Sequence, residues 1–159
     1  MSAVLEEAFA AYSQGWAGLA ADGITPHWHA GDFRFYKAEE MRAVYTAWDD
    51  ALAYWRMNEA LHSAVDLRFG EVQDMGLPGP ATLALAKMDW RITFAEDAVD
   101  PEGRPFRHAG KAMAGWNHVL SAWEEREGRL GLTGWMEVPD APPIYLADLY
   151  FRMAERDAG

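Results

Sequence analysis

The chain has no cysteine. That excludes disulfides, thiolate zinc ligands and thiol nucleophiles together. Basic residues are scarce: 14 Lys and Arg face 25 Asp and Glu, for a formal net charge of −11. A surface of that sign repels phosphate backbones, so nucleic acid is not an expected partner. Long apolar runs are missing as well. No stretch approaches the roughly 20 residues that cross a bilayer, and residues 1–21 carry Glu6 and Glu7 ahead of any apolar run and lack the basic start of a secretory leader. The expectation is a cytoplasmic protein that does not engage membranes. Repeats, low-complexity segments, a nucleophile elbow and a phosphate-cradling glycine loop are also absent. GWAGLAADG, near the end of the first helical pattern, contains glycines but follows no strand, so it is not a dinucleotide fingerprint. No cofactor is expected.

Aromatic residues are what the chain has in quantity: 8 Trp, 7 Phe and 6 Tyr among 159 residues. Such a chain fits one domain spanning 1–159, able to bury about two thirds of its unfolded surface in an aromatic-rich core. Leu5, Phe9, Tyr12, Trp16 and Leu19 recur at three and four residues and predict an amphipathic helix that Ser2 can cap, ending before Asp22-Gly23. ITPHWHAGDFRFYK reads as a turn and a short strand. Met41, Val44, Tyr45, Trp48, Leu52 and Trp55 predict a second helix from Ala38 to about Arg56. Alternation of Val65, Leu67 and Phe69 with polar neighbours predicts a strand over residues 61–72. Three more strands follow, over 81–94, from about His108 to Trp123, and from about Leu130 to Val138. A last helix is expected at about 142–157, with Pro143 suited to its first turn.

The strand from His108 to Trp123 holds the pocket floor in this reading, because it combines small residues with reactive ones. Pairing Phe94 with Phe106 sets Trp90 opposite Gly110, Met88 opposite Ala112, Ala86 opposite Ala114 and Ala84 opposite Trp116. Four alanines then lie on one face, walled by Trp90, Met88, Trp116 and His118. A two-residue turn at Glu127-Gly128 sets Leu120 against Trp135 and His118 against Glu137, on the same face. Asp89 meets Lys111 on the other face, and Asn117 points away from the floor, toward a dimer contact. A slip of one residue in either hairpin inverts these assignments.

Helix, short strand, helix, four long antiparallel strands and a closing helix make an α+β order in which helices pack on one face of a curved sheet. This layout, with an aromatic-rich first helix and a Gly-containing hairpin leading into a Trp-bearing strand (EEREGRLGLTGW), resembles the nuclear-transport-factor-two-like superfamily, also called SnoaL-like, over roughly residues 3–138. The resemblance implies a cone-shaped curved antiparallel sheet closed by helices around a cavity, commonly in a homodimer formed through the sheet. The final helix departs from that pattern. It also implies that activity is open, since members resemble isomerases, cyclases, dehydratases or hydrolases, while others only bind ligands or partners. Its enzymes typically place an Asp, or an Asp with a His, in the cavity, and the cavity face read above holds no Asp.

The candidate chemistry is a dyad in which Glu137 orients His118 and raises its basicity so that it takes a proton from a carbon or a water. The bland alternative is a core histidine bonded to a carbonyl. The candidate ligand wall is Trp28, Tyr45, Trp48, Met88, Trp90, His108, Trp116 and Trp135, each of which is equally a core residue by type. His27-x-His29 has the spacing of two strand-borne metal ligands, with His62, His108 or Asp32 as a third, but two histidines beside a Trp suit a cavity rim better, and no metal is assigned. Three functions stay open. The chain binds a small, largely apolar or aromatic molecule, with or without acid–base catalysis; it is a cofactor-free lyase, isomerase or hydrolase using His118 with Glu137; or it is a non-catalytic dimeric interaction module.

Overall fold

The computed structural model describes residues 2–76, 79–100 and 102–140. The helix expected at 142–157 lies outside them. α1 (Ser2–Ala17) and a one-turn α2 (Ala21–Ile24) lead through two short 3-10 turns to β1 (Phe35–Lys37), then α3 (Trp48–Leu61), and then β2 (His62–Asp74), β3 (Ala81–Phe94), β4 (Ala112–Arg126) and β5 (Arg129–Pro139). The five strands form one sheet in the order β1-β5-β4-β3-β2. β1 pairs with β5 in parallel and the other pairs are antiparallel, so this is an α+β fold with a mixed, mostly antiparallel sheet. No helix among the described residues is long and apolar enough to cross a membrane.

The apolar spacing in α1 works as expected. Leu5, Phe9 and Tyr12 are buried against the inner face of the sheet, with Phe9 edge-on to Trp123 at 5.1 Å and Tyr12 against Trp135 at 5.0 Å. At its end α1 nearly touches α2. A Cβ on Gly15 would lie 2.4 Å from the carbonyl oxygen of Gly23, a backbone atom with no room to yield. Glycine is therefore required at that crossing for space, not for its backbone angles.

The second helix differs from its expected span. It begins at Trp48 rather than Ala38, and Asp49 and Asp50 occupy its first turn, where the helix dipole favours negative charge. Residues upstream instead bend back so that Tyr45 bridges Tyr36 of β1, each donating its N–H to the other's carbonyl at 2.9 Å. The helical spacing of Met41, Val44 and Tyr45 arises in a segment folded over the core, not in a helix. Beneath it Trp55 sits fully buried among Trp28, Tyr36 and Trp48, with ring centroids 5.3, 5.3 and 5.5 Å away.

Both hairpin registers differ from expectation, for separate reasons. Phe94 and Phe106 do meet, with ring centroids 4.7 Å apart, but they are not a strand pair. Phe106 to Lys111 runs through successive turns, Ala109 N–H donating to the Phe106 carbonyl and Lys111 N–H to that of His108. β4 consequently starts at Ala112, and Ala84 pairs with Ser121 instead of Trp116, Met88 with Asn117, and Trp90 with Gly115. Asp89 pairs with Trp116, not Lys111. The shift is odd, so β4 presents its other face inward.

The second hairpin has the expected turn. Glu127 (φ 54°) and Gly128 (φ 74°) both take positive φ, as a two-residue type I′ connection requires. Beyond it, Trp123 pairs with Leu132 but Ala122 pairs with Gly134, leaving Thr133 as an extra residue on β5. This β-bulge shifts every later pair by one. His118 thus meets Val138, and Glu137 meets Val119.

Candidate functional site

Because residues directly opposite each other share a face, the inner face of the sheet can be read from the pairs together with burial. Ala84, Ala86 and Met88 on β3, Asn117, Val119, Ser121 and Trp123 on β4, and Leu132 and Trp135 on β5 are all buried. Glu137 follows Trp135 on that face, two residues along β5. Glu125 follows Trp123 on the same face at the far end of β4 but is exposed, whereas Glu137 is not.

Three donors hold it. Trp135 Nε1–H donates to Glu137 Oε1 at 2.7 Å, and Asn117 Nδ2 donates to Oε2 at 3.0 Å. The backbone N–H of Glu39, in the segment after β1, donates to Oε2 at 3.3 Å. The orientation of Asn117 is fixed from its other side, where its Oδ1 accepts from Trp90 Nε1 at 3.2 Å. Even with three donors, burial dominates: it pushes the Glu137 carboxyl up from the usual 4.5 to about 7, with the neighbouring Glu40 and Glu39 carboxyls adding to the rise and the Trp135 bond opposing it. A carboxyl in that range can both give and take a proton near neutral pH.

Glu39 and Glu40 bring two more carboxyls to this end of the sheet. Burial, followed by Glu40, raises Glu39 above the usual range. Tyr54 of α3 donates its hydroxyl to Glu40 Oε1. Burial raises the Tyr36 and Tyr54 phenols well above their ordinary value, so both stay protonated and neutral. His62, at the junction of α3 and β2, is pulled down by burial against an opposing pull from Glu40. The Oε2 of Glu39 and the Nδ1 of His62 are buried with no hydrogen-bond partner among the described residues.

The expected dyad does not form. His118 lies on the outer face, half exposed, with Nε2 3.7 Å from Asp140 Oδ2, while Glu137 faces inward. The Thr133 bulge separates them by turning β5 over. Asn117, expected to point away, is the buried partner of Glu137. Trp116 is on the outer face with 58% of its surface exposed, and His108 is exposed in the loop before β4, its ring 5.7 Å from that of Phe106. Neither joins the inner wall. Met88, Trp90 and Trp135 do lie on the inner face, Trp90 and Trp135 in the hydrogen-bond chain around Glu137. Trp28, Tyr45 and Trp48 join one aromatic cluster with Tyr36, Tyr54 and Trp55.

His27 and His29 do not act as a pair. His29 is buried with both ring nitrogens engaged, Nε2 with the Glu124 carbonyl at 3.0 Å and Nδ1 with Arg129 at 2.8 Å. His27 packs its ring on Tyr12 at 5.8 Å. No group of three or more His, Asp or Glu with metal-holding geometry occurs among the described residues.

No family model matches the sequence, and no curated protein does either. Solved structures do match. A candidate aromatic ring hydroxylase from Novosphingobium aromaticivorans superposes with a TM-score of 0.70 at 11% identity over 87% of each chain. A nuclear transport factor 2-like superfamily protein from Salmonella enterica gives 0.69 at 10% identity, covering 89% of this chain and 92% of that one. Hexachlorocyclohexane dehydrochlorinase LinA-type3 from Novosphingobium barchaimii gives 0.63 at 10% identity, over 87% and 86%. The fold is the nuclear-transport-factor-two-like fold.

Proposed function

We propose that the chain binds a small, largely apolar or aromatic molecule on the inner face of its sheet, at the end marked by Glu137, and that Glu137 exchanges a proton with it. The observation that carries this reading is one ionisable carboxyl, held by Trp135, Asn117 and the Glu39 N–H and brought to about pH 7 by burial. A group with that environment is a functional-site candidate on physical grounds. Trp90, Trp135 and Met88 supply apolar surface beside it, and the buried Glu39 Oε2 and His62 Nδ1 supply polar groups in want of partners. Neutral Tyr54 and Tyr36 complete a lining suited to a proton-bearing, weakly polar guest. The reading includes the cone-like closure of helices over the sheet and a single domain over 1–159.

The test is calorimetric titration with small aromatic ketones, alcohols and amines at pH 7, in two buffers of different ionisation enthalpy. Binding at this site changes the proton occupancy of Glu137, so the observed heat should depend on the buffer in the parent chain and not in Glu137→Gln. Buffer-independent heats in both, or no binding by any compound, would remove the acid–base reading.

A homodimer formed through the outer face belongs to the same proposal. Leu85, Leu120 and Met136 lie in one row across three strands, with Lys87, His118 and Val138 in the next. Trp116, Val138 and Leu120 are exposed at 58%, 55% and 37%. Contiguous exposed apolar residues on a sheet suit burial against a second copy. Trp116→Glu should shift the sedimentation coefficient from dimer to monomer at micromolar concentration while leaving the far-ultraviolet circular dichroism unchanged. A parent chain that already sediments as a monomer rules the dimer out.

A further inference from the structure

At the other edge of the sheet a cleft of about 460 Å³ opens between α1 and β2, within the range of small-molecule sites. Phe69 forms its floor, with the buried ring of Phe9 behind it at a centroid distance of 4.9 Å. Ala10, Ser13 and Gln14 line it from α1. From β2 it is lined by Arg68 and by a bulge, where Gly70 pairs with Lys87 and Gln73 with Leu85, so that Glu71 and Val72 share the place opposite Ala86.

The bulge carries an unexpected residue. Glu71 adopts φ 53°, a left-handed conformation that disfavours any residue with a Cβ by about 1–2 kcal/mol. A glycine there would fold with less strain. Folding therefore gives no reason for a glutamate, whereas strained residues and bulges gather at binding sites. Arg68 at the rim is held by Asp66 at 2.8 Å, and Glu71 lines the cleft.

We propose that this cleft is a second small-molecule site, independent of Glu137, for an amphipathic organic cation whose aromatic or branched body rests on Phe69 and Ala10 and whose ammonium group faces Glu71. The test is an NMR titration of the full chain with 2-phenylethylammonium, using 2-phenylacetate as the matched anion. The ammonium ion should shift the amides of Gly70–Val72 and Ser13–Gln14 with a millimolar dissociation constant, as fits about nine non-hydrogen atoms in an open site. Glu71→Gln should weaken it about threefold, as expected for an exposed ion pair. Ala10→Trp, which fills the cleft from an exposed position of α1, should abolish the shifts, while Glu137→Gln should leave them intact. Equal binding of anion and cation, shifts centred on Trp135 and Glu137, or none at about 20 mM, ten or more times the expected constant, each overturn the proposal.

Discussion

Glu137→Gln is expected to give a stability curve that is flat where the parent's falls. In the parent, the folded-state carboxyl titrates near 7 and the unfolded one near 4.5. Below the unfolded value both states are protonated and Glu137 contributes no pH dependence. As pH rises from there the unfolded chain releases the proton first, so the folded state is progressively disfavoured, and the loss is complete only above the folded value. At about 1.4 kcal/mol per pH unit this amounts to about 3 kcal/mol.

The variant has no such group, but its amide places donor hydrogens either against Trp135 Nε1–H or against both Asn117 Nδ2 and the Glu39 N–H, a mismatch worth about 1–3 kcal/mol at every pH. The two curves should therefore cross, the parent more stable in acid and the variant level with it or ahead at pH 8. Urea titrations at half-unit pH intervals measure this directly. Subtracting the curves removes the contributions of Glu39, which runs in the same direction, and of His27 and His62, whose lowered values run in the opposite one. Parallel curves would show that Glu137 titrates like an exposed carboxyl. If the chain is an enzyme using this group, the same variant loses about 10²–10⁴ in turnover.

Trp55→Ala should destabilise the chain by about 3–5 kcal/mol, the usual range for a fully buried aromatic. In a chain of this length that lowers the melting temperature by about 6–20 °C. The effect is large because α3 buries little else: Ala51, Trp55 and Asn58 are its buried residues, and only Trp55 among them reaches the rings of Trp28, Tyr36 and Trp48. The neighbouring Tyr54 holds Glu40, one of the charges acting on Glu137. A loosened α3 should therefore also move the Glu137 titration, which a purely local cavity would not do. A melting temperature within about 2 °C of the parent, less than one kcal/mol at this size, would mean that α3 is not anchored through this side chain.

How far the sequence could be read depended on the kind of information each feature needs. α1, β2, β3, β5 and the Glu127-Gly128 turn follow from local periodicity and turn chemistry, and the α+β class follows from their order. The α3 boundary was hidden because Met41, Val44 and Tyr45 have helix-like spacing without forming a helix, Met41 and Tyr45 packing on the core and Val44 staying exposed. The acidic pair Asp49-Asp50 was the local signal of the true start.

Glu137, Trp90, Trp135 and Met88 were legible as residue types suited to an inner wall. Their partners were not: Asn117 and Glu137 are brought to one face by two irregular connections, and Glu39 reaches Glu137 from the segment after β1. One of these, the folded-back loop before β4, left little trace in the sequence. The other did leave one: Gly131 and Gly134, glycines inside a strand, are the usual mark of a bulge, and they flank Thr133.

That bulge makes the site depend on a count of residues. Were Thr133 to pair with Ala122 instead of bulging, β5 would run on in the register set by its hairpin, bringing His118 opposite Glu137 and turning Trp135 and Glu137 toward the opposite side of the sheet. No side chain of the Glu137 cluster would have changed, yet the cluster would be gone. The reading frame of a strand, in this sense, is inherited separately from its letters. Between chains about 10% identical, an alignment that leaves out the gap at this bulge will pair the inner residues of one protein with the outer residues of the other. Function should be carried from one protein of this fold to another by matching strand faces, not alignment columns.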